Sequence, residues 1–361
     1  MLRLILVLSL CLLVFGCTDI AYYAQATEGQ MRLMAATRPI SDVVKDPSTD
    51  PALRQQLEHE IAIREFASKE LALPDNGSYR SYADLGRPYV VWNVFAAPEF
   101  SLELQQWCMI FAGCVNYRGY YDKNDAERYA GKLRQAGDDT YVGGVSAYST
   151  LGYFNDPVLN TFLRYGDTEV AHIVFHELAH QLLYVKGDSA FNESFATAVE
   201  DEGMRRWLKM SGSPERLGDF AKQEQHSAQF HKLVDDTRNK LRAVYASSLT
   251  PDEKRRAKQA AISEMKHAYA DLKASWSGYG GYDQWFDQPL NNAILGSVTL
   301  YTKWVPAFQA LLEQQGGNLP HFYQRVAELA HLPEVERSAA LDKLLPARTA
   351  TSGTCSGSLA L

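Results

Sequence analysis

The sequence predicts an α+β fold that is predominantly α-helical, in which a small twisted β-sheet precedes a pair of adjacent helices and a long helical hairpin. Three runs between 88 and 148 are rich in aromatic and β-branched residues, which indicates strands. Apolar residues then recur at helical spacing from 168 to 186. Two long charged segments that begin at Pro214 and Pro251 have the composition of an antiparallel helix pair.

The N-terminus reads as an export signal. Arg3 is followed by an apolar run that is too short to cross a bilayer as a mature helix, so residues 1–16 are predicted to be a signal peptide. Gly16-Cys17 resembles the lipobox of bacterial lipoproteins, which implies that Cys17 becomes the lipidated first residue. Thr18 rather than Asp follows this cysteine, which favours the periplasmic face of the outer membrane. Plain secretory cleavage and an uncleaved anchor are the alternatives.

The remaining chain is long enough and apolar enough for a sizeable core, since 46% of the residues are hydrophobic. The net charge of −7, with no basic cluster to offset it, argues against nucleic acid as a partner. We expect one domain over 17–345, composed of a helical N-terminal wall (18–73), the small sheet (88–148), the metal-binding helices (167–210), the helical hairpin (214–275) and C-terminal helices (277–345), followed by a flexible tail (346–361).

Five cysteines are present, of which Cys11 leaves with the signal peptide. An exported protein meets oxidising conditions, so Cys108 and Cys114 are candidates for a disulfide. Their apolar flanks leave two buried free thiols as the alternative. Cys355 lies in the Ser/Gly/Thr-rich tail.

The sheet is expected from strands at 88–96, 114–121 and 141–148, with helices at 102–110 and 123–136 between them. The glycine-containing segment 143–154 is a candidate edge strand that pairs with an extended peptide, because glycine permits close approach of a second backbone. An internal strand and turn is the alternative. Tyr148 and Tyr153 in this segment are candidate substrate contacts.

The helix predicted at 168–186 contains His176-Glu177-Leu178-Ala179-His180. Residues four apart share one helix face, so the two imidazoles are placed to bind one metal ion. Glu177 follows the first histidine and could take a proton from a metal-activated water. The alternative is an ordinary buried helix whose two histidines are satisfied by hydrogen bonds, although burying these polar groups on one face would then be costly.

A second helix, capped by Asp188 or Ser189, is predicted to carry Asn192, Glu193 and Ala196. Glu193 is the natural third ligand, because two histidines and a glutamate form one of the ligand sets of catalytic zinc. Twelve residues separate His180 from Glu193, so the connection must be tight.

Other polar residues are candidates for supporting roles. Carboxylates commonly orient ligating histidines, and Glu200 or Glu169 could do so here. His172 lies one turn before His176 and is a neighbour of the site or an alternative ligand. Asn292 and Tyr301 are neutral donors that could contact substrate or an oxyanion, with helix capping and core packing as the alternatives.

The paired motifs resemble those of the gluzincin metallopeptidases, which carry His-Glu-x-x-His on one helix and Asn-Glu-x-x-Ala on the next. Further segments are similar to a bacterial lipoprotein family labelled as zinc aminopeptidases, among them Gly16-Cys17, Ala112-Gly113-Cys114 and Asn291-Asn292-Ala293. The resemblance implies a zincin-type helix pair, one Zn²⁺ per chain and a peptide substrate.

The family label implies an aminopeptidase that attacks the peptide bond with a zinc-activated water. The chain lacks the Gly-x-Met-Glu-Asn segment that binds the free amino group in well-known gluzincin aminopeptidases. An endopeptidase, a cell-wall peptide hydrolase and a non-catalytic binding lipoprotein therefore remain alternatives.

Overall fold

The structure, a computed structural model, describes residues 17–109, 113–147, 149–299 and 303–345. The predicted signal peptide, Tyr148, Tyr301 and the tail therefore lie outside the described residues. None of the helices within these ranges is long and apolar enough to cross a membrane.

The described helices are α1 (Cys17–Ala35), α2 (Ile40–Lys45), α3 (Pro51–Lys69), α4 (Lys123–Gln135), α5 (Asn160–Leu163), α6 (Asp167–Leu182), α7 (Ser189–Met210), α8 (Pro214–Ala246), α9 (Pro251–Ser275), α10 (Asp283–Phe286), α11 (Asn292–Thr299), α12 (Val305–Gln314), α13 (Leu319–Ala330) and α14 (Glu334–Leu344). The described strands are β1 (Arg38–Pro39), β2 (Ser81–Ala83), β3 (Val91–Pro98), β4 (Trp107–Met109), β5 (Gly113–Val115), β6 (Arg118–Tyr120), β7 (Asp138–Val145) and β8 (Val158–Leu159). The predicted fold class is confirmed: a predominantly helical α+β fold in which small sheets precede the α6–α7 pair and the α8–α9 hairpin.

The strands form three small sheets in the described ranges, where the sequence predicts one. The sheet next to α6 is antiparallel in the order β6-β3-β7, and Asn93 of the central strand pairs with Gly119 on one side and Gly143 on the other. Strands β1, β2 and β8 form a second sheet, while β4 and β5 form a two-stranded one.

The helix expected at 102–110 is wrong in the part that the structure describes, because Trp107–Met109 is strand β4. Its partner is β5, and Cys108 lies opposite Cys114, to which it is joined by a disulfide. The apolar run that suggested a helix is also compatible with a short strand, and only the partner strand distinguishes the two.

Helix α6 ends at Leu182, four residues before the predicted end. Leu183 is already extended, and the main chain of Val185 is bound by a side chain of α7 instead of continuing the helix. Helices α8 and α9 begin at the predicted Pro214 and Pro251, and α9 ends at the predicted residue 275.

Helices α6 and α7, which carry the candidate ligands, run through the largest apolar cluster of the described residues. Phe175 and Leu178 of α6 and Phe195 and Ala196 of α7 are completely buried in it. Dense packing on this scale holds side chains in fixed rotamers, so the polar face of the two helices has a rigid support.

Candidate metal centre

Three side chains of α6 and α7 converge at one point. The Nε2 atoms of His176 and His180 are 3.2 Å apart, and the Glu193 Oε2 atom lies 3.3 Å and 3.7 Å from them, respectively. Imidazole and carboxylate ligands bind zinc at about 2.0–2.1 Å, and a tetrahedron with such bonds has edges of roughly 3.3 Å. The three atoms are therefore spaced as the ligands of a single small metal ion.

The electrostatics of this group also suit a cation. Burial alone would raise the pKa of Glu193, but His180 and His176 together hold it well below the ordinary value. The Nδ1 atom of His180 is buried and has no hydrogen-bond partner among the described residues. His176, His180 and Glu193 are the one group of three or more potential ligands found in the described ranges.

Glu200 joins two histidines of α6 from the facing side of α7. Its two carboxylate oxygens lie 2.7 Å from His172 Nδ1 and 2.8 Å from His176 Nδ1. Although burial would raise the pKa of Glu200, these two contacts lower it to about 2. An ionised carboxylate at Nδ1 leaves Nε2 of His176 free to bind metal. Glu169 lies near His172, and burial is the main cause of its raised pKa.

The short connection between the ligand helices is fixed by side-chain hydrogen bonds. Asn192 holds the backbone of Val185 from both sides, with distances of 2.7 Å to its nitrogen and 2.8 Å to its oxygen. Asp188 caps α7 through the Phe191 nitrogen and forms a buried ion pair with Arg337 of α14. The predicted cap at Asp188 is confirmed, and Asn192 explains how a connection of this length can be ordered.

The strand pair β4–β5, joined by the disulfide, packs closely against the connection between α6 and α7. A Cβ atom at Gly113 would lie 2.7 Å from the Lys186 side chain and 2.8 Å from the Gly187 nitrogen. Only glycine fits this close approach, and its φ of 82° also favours glycine. The strand pair thus braces the segment between His180 and Glu193.

Two cavities meet at the candidate centre. The first, here called the sheet cavity, has a volume of about 440 Å³ and lies between one face of the β6-β3-β7 sheet and helices α6 and α7. The second, here called the hairpin cleft, has a volume of about 1290 Å³ and lies between α6, α7 and α8. Glu177 and His176 line both cavities. Burial raises the pKa of Glu177, and His176 and His180 oppose this effect.

Two tyrosines in the sheet cavity were not predicted as site residues. Tyr117 and Tyr184 both line this cavity, and burial followed by repulsion from Glu193 raises the pKa of each phenol. Both phenols therefore keep their protons and can donate hydrogen bonds. Tyr184 lies just beyond the end of α6, where the chain is already extended, and Tyr117 is distant in sequence from the motif, so helical spacing points to neither.

At Asn292 the structure favours core packing, the alternative to a substrate contact. This side chain is completely buried and accepts from the Tyr245 hydroxyl at 2.8 Å, while it donates to the carbonyls of Pro98 and Glu99. Its hydrogen-bonding groups are engaged in packing α11 against the sheet and the hairpin, so it has a structural role. Tyr153 is 66% exposed and does not line the sheet cavity.

The last residue of β7, Val145, and the alternate residues Ala147, Ser149 and Leu151 of the segment after it line the sheet cavity. Pairing of this segment with an extended peptide stays a prediction. Of the histidines that lie outside the centre, His226 stacks on Trp276 and His231 lines the hairpin cleft. His267 lies 2.8 Å from a carbonyl of its own helix.

A family model described as "Putative aminopeptidase" matches residues 21–341, which is most of the chain and includes all three candidate ligands. The chain belongs to this family. No match was found among curated proteins, and none among solved structures. Membership of the family indicates a peptide substrate. The positions of His176, His180 and Glu193 form a group that can hold a metal ion.

Proposed function

We propose that this protein is a zinc-dependent peptidase whose centre is His176, His180 and Glu193. The observation that carries the proposal is the spacing of the three ligand atoms, which matches the edges of a tetrahedral zinc site. The family match supports the substrate class, and Glu177 at the junction of two cavities supports the reaction. The family's description suggests cleavage of the first peptide bond, which releases the N-terminal residue.

A zinc ion in this position would lower the pKa of water and polarise a substrate carbonyl. Glu177 accepts the proton of the attacking water and transfers it to the leaving amine. Burial raises the pKa of its carboxyl above the ordinary value, and the neighbouring His176 and His180 oppose this effect. Glu200 holds His176 in the tautomer that presents Nε2 to the metal.

Charge that develops on the substrate carbonyl oxygen needs hydrogen-bond donors in the same cavity. We assign this role to the phenols of Tyr117 and Tyr184, which remain protonated beside Glu193. Replacement of either by phenylalanine should lower kcat without changing zinc content. If both Tyr117→Phe and Tyr184→Phe leave kcat unchanged, neither phenol takes part in the mechanism.

The substitution Glu177→Gln tests the chemistry. It should keep the zinc content of the wild type and reduce peptide hydrolysis by about 10²–10⁴-fold, the usual contribution of a general base. Zinc is measured by mass spectrometry on the purified protein, and hydrolysis with a mixed peptide library. His180→Ala provides the matched control, which should lose zinc as well as activity. Wild-type activity in Glu177→Gln would refute the proposed mechanism, and zinc without turnover in the wild type would favour a binding lipoprotein.

We propose that Cys17 carries a lipid anchor that places the protein at the periplasmic face of the outer membrane. Helix α1 begins at this residue and contributes Tyr22 and Ala26 to the wall of the sheet cavity. An anchor at Cys17 would therefore hold the cavity close to the lipid surface. Metabolic labelling with palmitate should mark the wild type and not Cys17→Ser; equal labelling of both would refute the anchor.

A further inference from the structure

The two cavities share only His176 and Glu177 among their described lining residues. The sheet cavity extends from these residues toward β3, β6 and α1. The hairpin cleft extends in the other direction, along α7 and α8. A general base must lie within hydrogen-bond reach of the water that attacks the scissile bond. The bond to be cleaved is therefore located where the two cavities meet, with space on both sides of it.

The hairpin cleft is much longer than one residue. It is lined by α8 from Phe220 to Asn239, which corresponds to roughly 28 Å along the helix axis. An extended peptide rises by about 3.3 Å per residue, so a segment of roughly eight residues matches this length. Nothing in the described lining closes the cleft after a single residue.

Among the described lining residues, no carboxylate near the junction of the two cavities is left over to bind a free α-amino group. In the sheet cavity, the carboxylates among the described lining residues are Glu177 and Glu193, the proposed base and a proposed ligand. In the hairpin cleft, Glu224 pairs with Arg205 and Asp236 with Lys232, both at 2.6 Å, and Asp201 accepts from Gln309 at 3.1 Å. Glu169 also lines the cleft, but it lies eight residues before Glu177 on α6, about 12 Å away along the helix axis. The α-amino group of a single residue does not reach that far from the scissile bond, because consecutive Cα atoms are only about 3.8 Å apart.

We infer that the substrate occupies both cavities at once, so that the protein cleaves internal bonds of peptides with several residues on each side and accepts a blocked N-terminus. The inference rests on the proposed peptidase function and specifies its substrate class. Affinity comes from the length of chain that the cleft and the cavity contact, and Glu177 selects the bond at their junction.

The first test compares one decapeptide in two forms, with a free and with an acetylated N-terminus, using the zinc-loaded protein. We expect internal cleavage of both, with kcat/KM values within about threefold of each other. Products are identified by mass spectrometry. The inference is overturned if acetylation lowers kcat/KM by about a hundredfold or more, as occurs when a site is built to bind the missing group, or if the products are single N-terminal residues.

A pair of substitutions on α8 tests the cleft itself. Ala228 lines the hairpin cleft, whereas Ala221 is exposed on the same helix and does not. Ala228→Trp should lower kcat/KM for the acetylated decapeptide by about tenfold or more by blocking the cleft, with unchanged zinc content. Ala221→Trp adds the same side chain outside the cleft and should behave as wild type. Equal activity of the two variants would overturn the inference.

A binding measurement separates this inference from the peptidase proposal. The acetylated decapeptide, bound to the zinc-loaded Glu177→Gln protein, should protect both α8 and β7 from hydrogen exchange. Protection of one element alone would overturn the inference. If no peptide is hydrolysed by the wild type but both elements are protected, the peptidase proposal fails and the two-sided binding of a peptide stands.

Discussion

From the contact between Glu200 and His176 we predict how much zinc affinity is lost when Glu200 is replaced. Glu200 accepts from His172 and His176 at 2.7 Å and 2.8 Å. Loss of a carboxylate that orients a ligating histidine typically costs 10–100-fold in metal affinity. Alanine removes both contacts and leaves His176 free to rotate, so Glu200→Ala should weaken zinc binding by about a hundredfold, or about 2.7 kcal/mol.

Glutamine has the same shape but offers only one oxygen. That oxygen can still accept from His176 while the amide group faces His172, so Glu200→Gln should weaken zinc binding by only about tenfold. The graded result distinguishes orientation of the ligand from a general effect on packing. Zinc dissociation constants are measured by competition with a chromophoric chelator, and the unfolding temperature of each metal-free variant provides a separate measure of the fold.

Glu169→Gln serves as the control, because it removes one negative charge just as Glu200→Gln does. Glu169 lies in the same cleft near His172, and its carboxylate is not one of those in contact with His176. Its substitution should change the zinc dissociation constant by less than about twofold. The reasoning is refuted if Glu169→Gln weakens binding as much as Glu200→Gln, because net charge alone would then explain the effect. Wild-type affinity in Glu200→Ala would refute it equally.

Three further predictions concern stability. Arg337→Met should lower the free energy of unfolding by about 3–5 kcal/mol in urea denaturation, because it leaves Asp188 buried without its partner; a loss below about 1 kcal/mol would contradict this. Burial raises the pKa of Asp156 to about 6, so its protonated form is favoured in the folded state and stability falls as pH rises from about 4 to 6. Asp156→Asn should therefore be up to about 3 kcal/mol more stable than wild type at pH 8 and equal to it below about pH 4, and a difference that does not depend on pH would contradict the assignment. The double substitution Cys108→Ser and Cys114→Ser should cost about 2 kcal/mol; a reductant should reproduce this loss in the wild type and have no effect on the double variant.

The sequence was sufficient for the centre because its three proposed ligands lie on two adjacent helices. Helical periodicity alone puts His176 and His180 on one face, and the Asn192-Glu193 motif lies within reach of a short connection. The hairpin α8–α9 could also be predicted from the sequence, because proline and capping residues mark where its helices begin and long periodic runs mark their extent. These features depend on contacts between residues that are close in the chain.

Features that depend on contacts between residues far apart in the chain could not be predicted from local sequence patterns. The apolar pattern at 102–110 predicts a helix, but residues 107–109 form strand β4, in which Cys108 lies opposite Cys114 of the partner strand. For Asn292 the sequence leaves a substrate contact and core packing open, and its hydrogen bonds to Tyr245 and to the carbonyl of Glu99 favour packing. A polar residue has the same sequence signal in both settings, and only its neighbours determine which applies.

The sequence by itself determined the helix-borne motif, the fold class and the pairing of α8 with α9, because local periodicity and capping encode them. The tertiary structure decided which groups support the motif. It brought Glu200 to His176, placed Tyr117 in the sheet cavity and braced the connection between the ligand helices with the disulfide hairpin. It also placed Glu177 at the junction of two cavities, a property that arises from the packing of α8 and the sheet around α6 and that no single segment specifies.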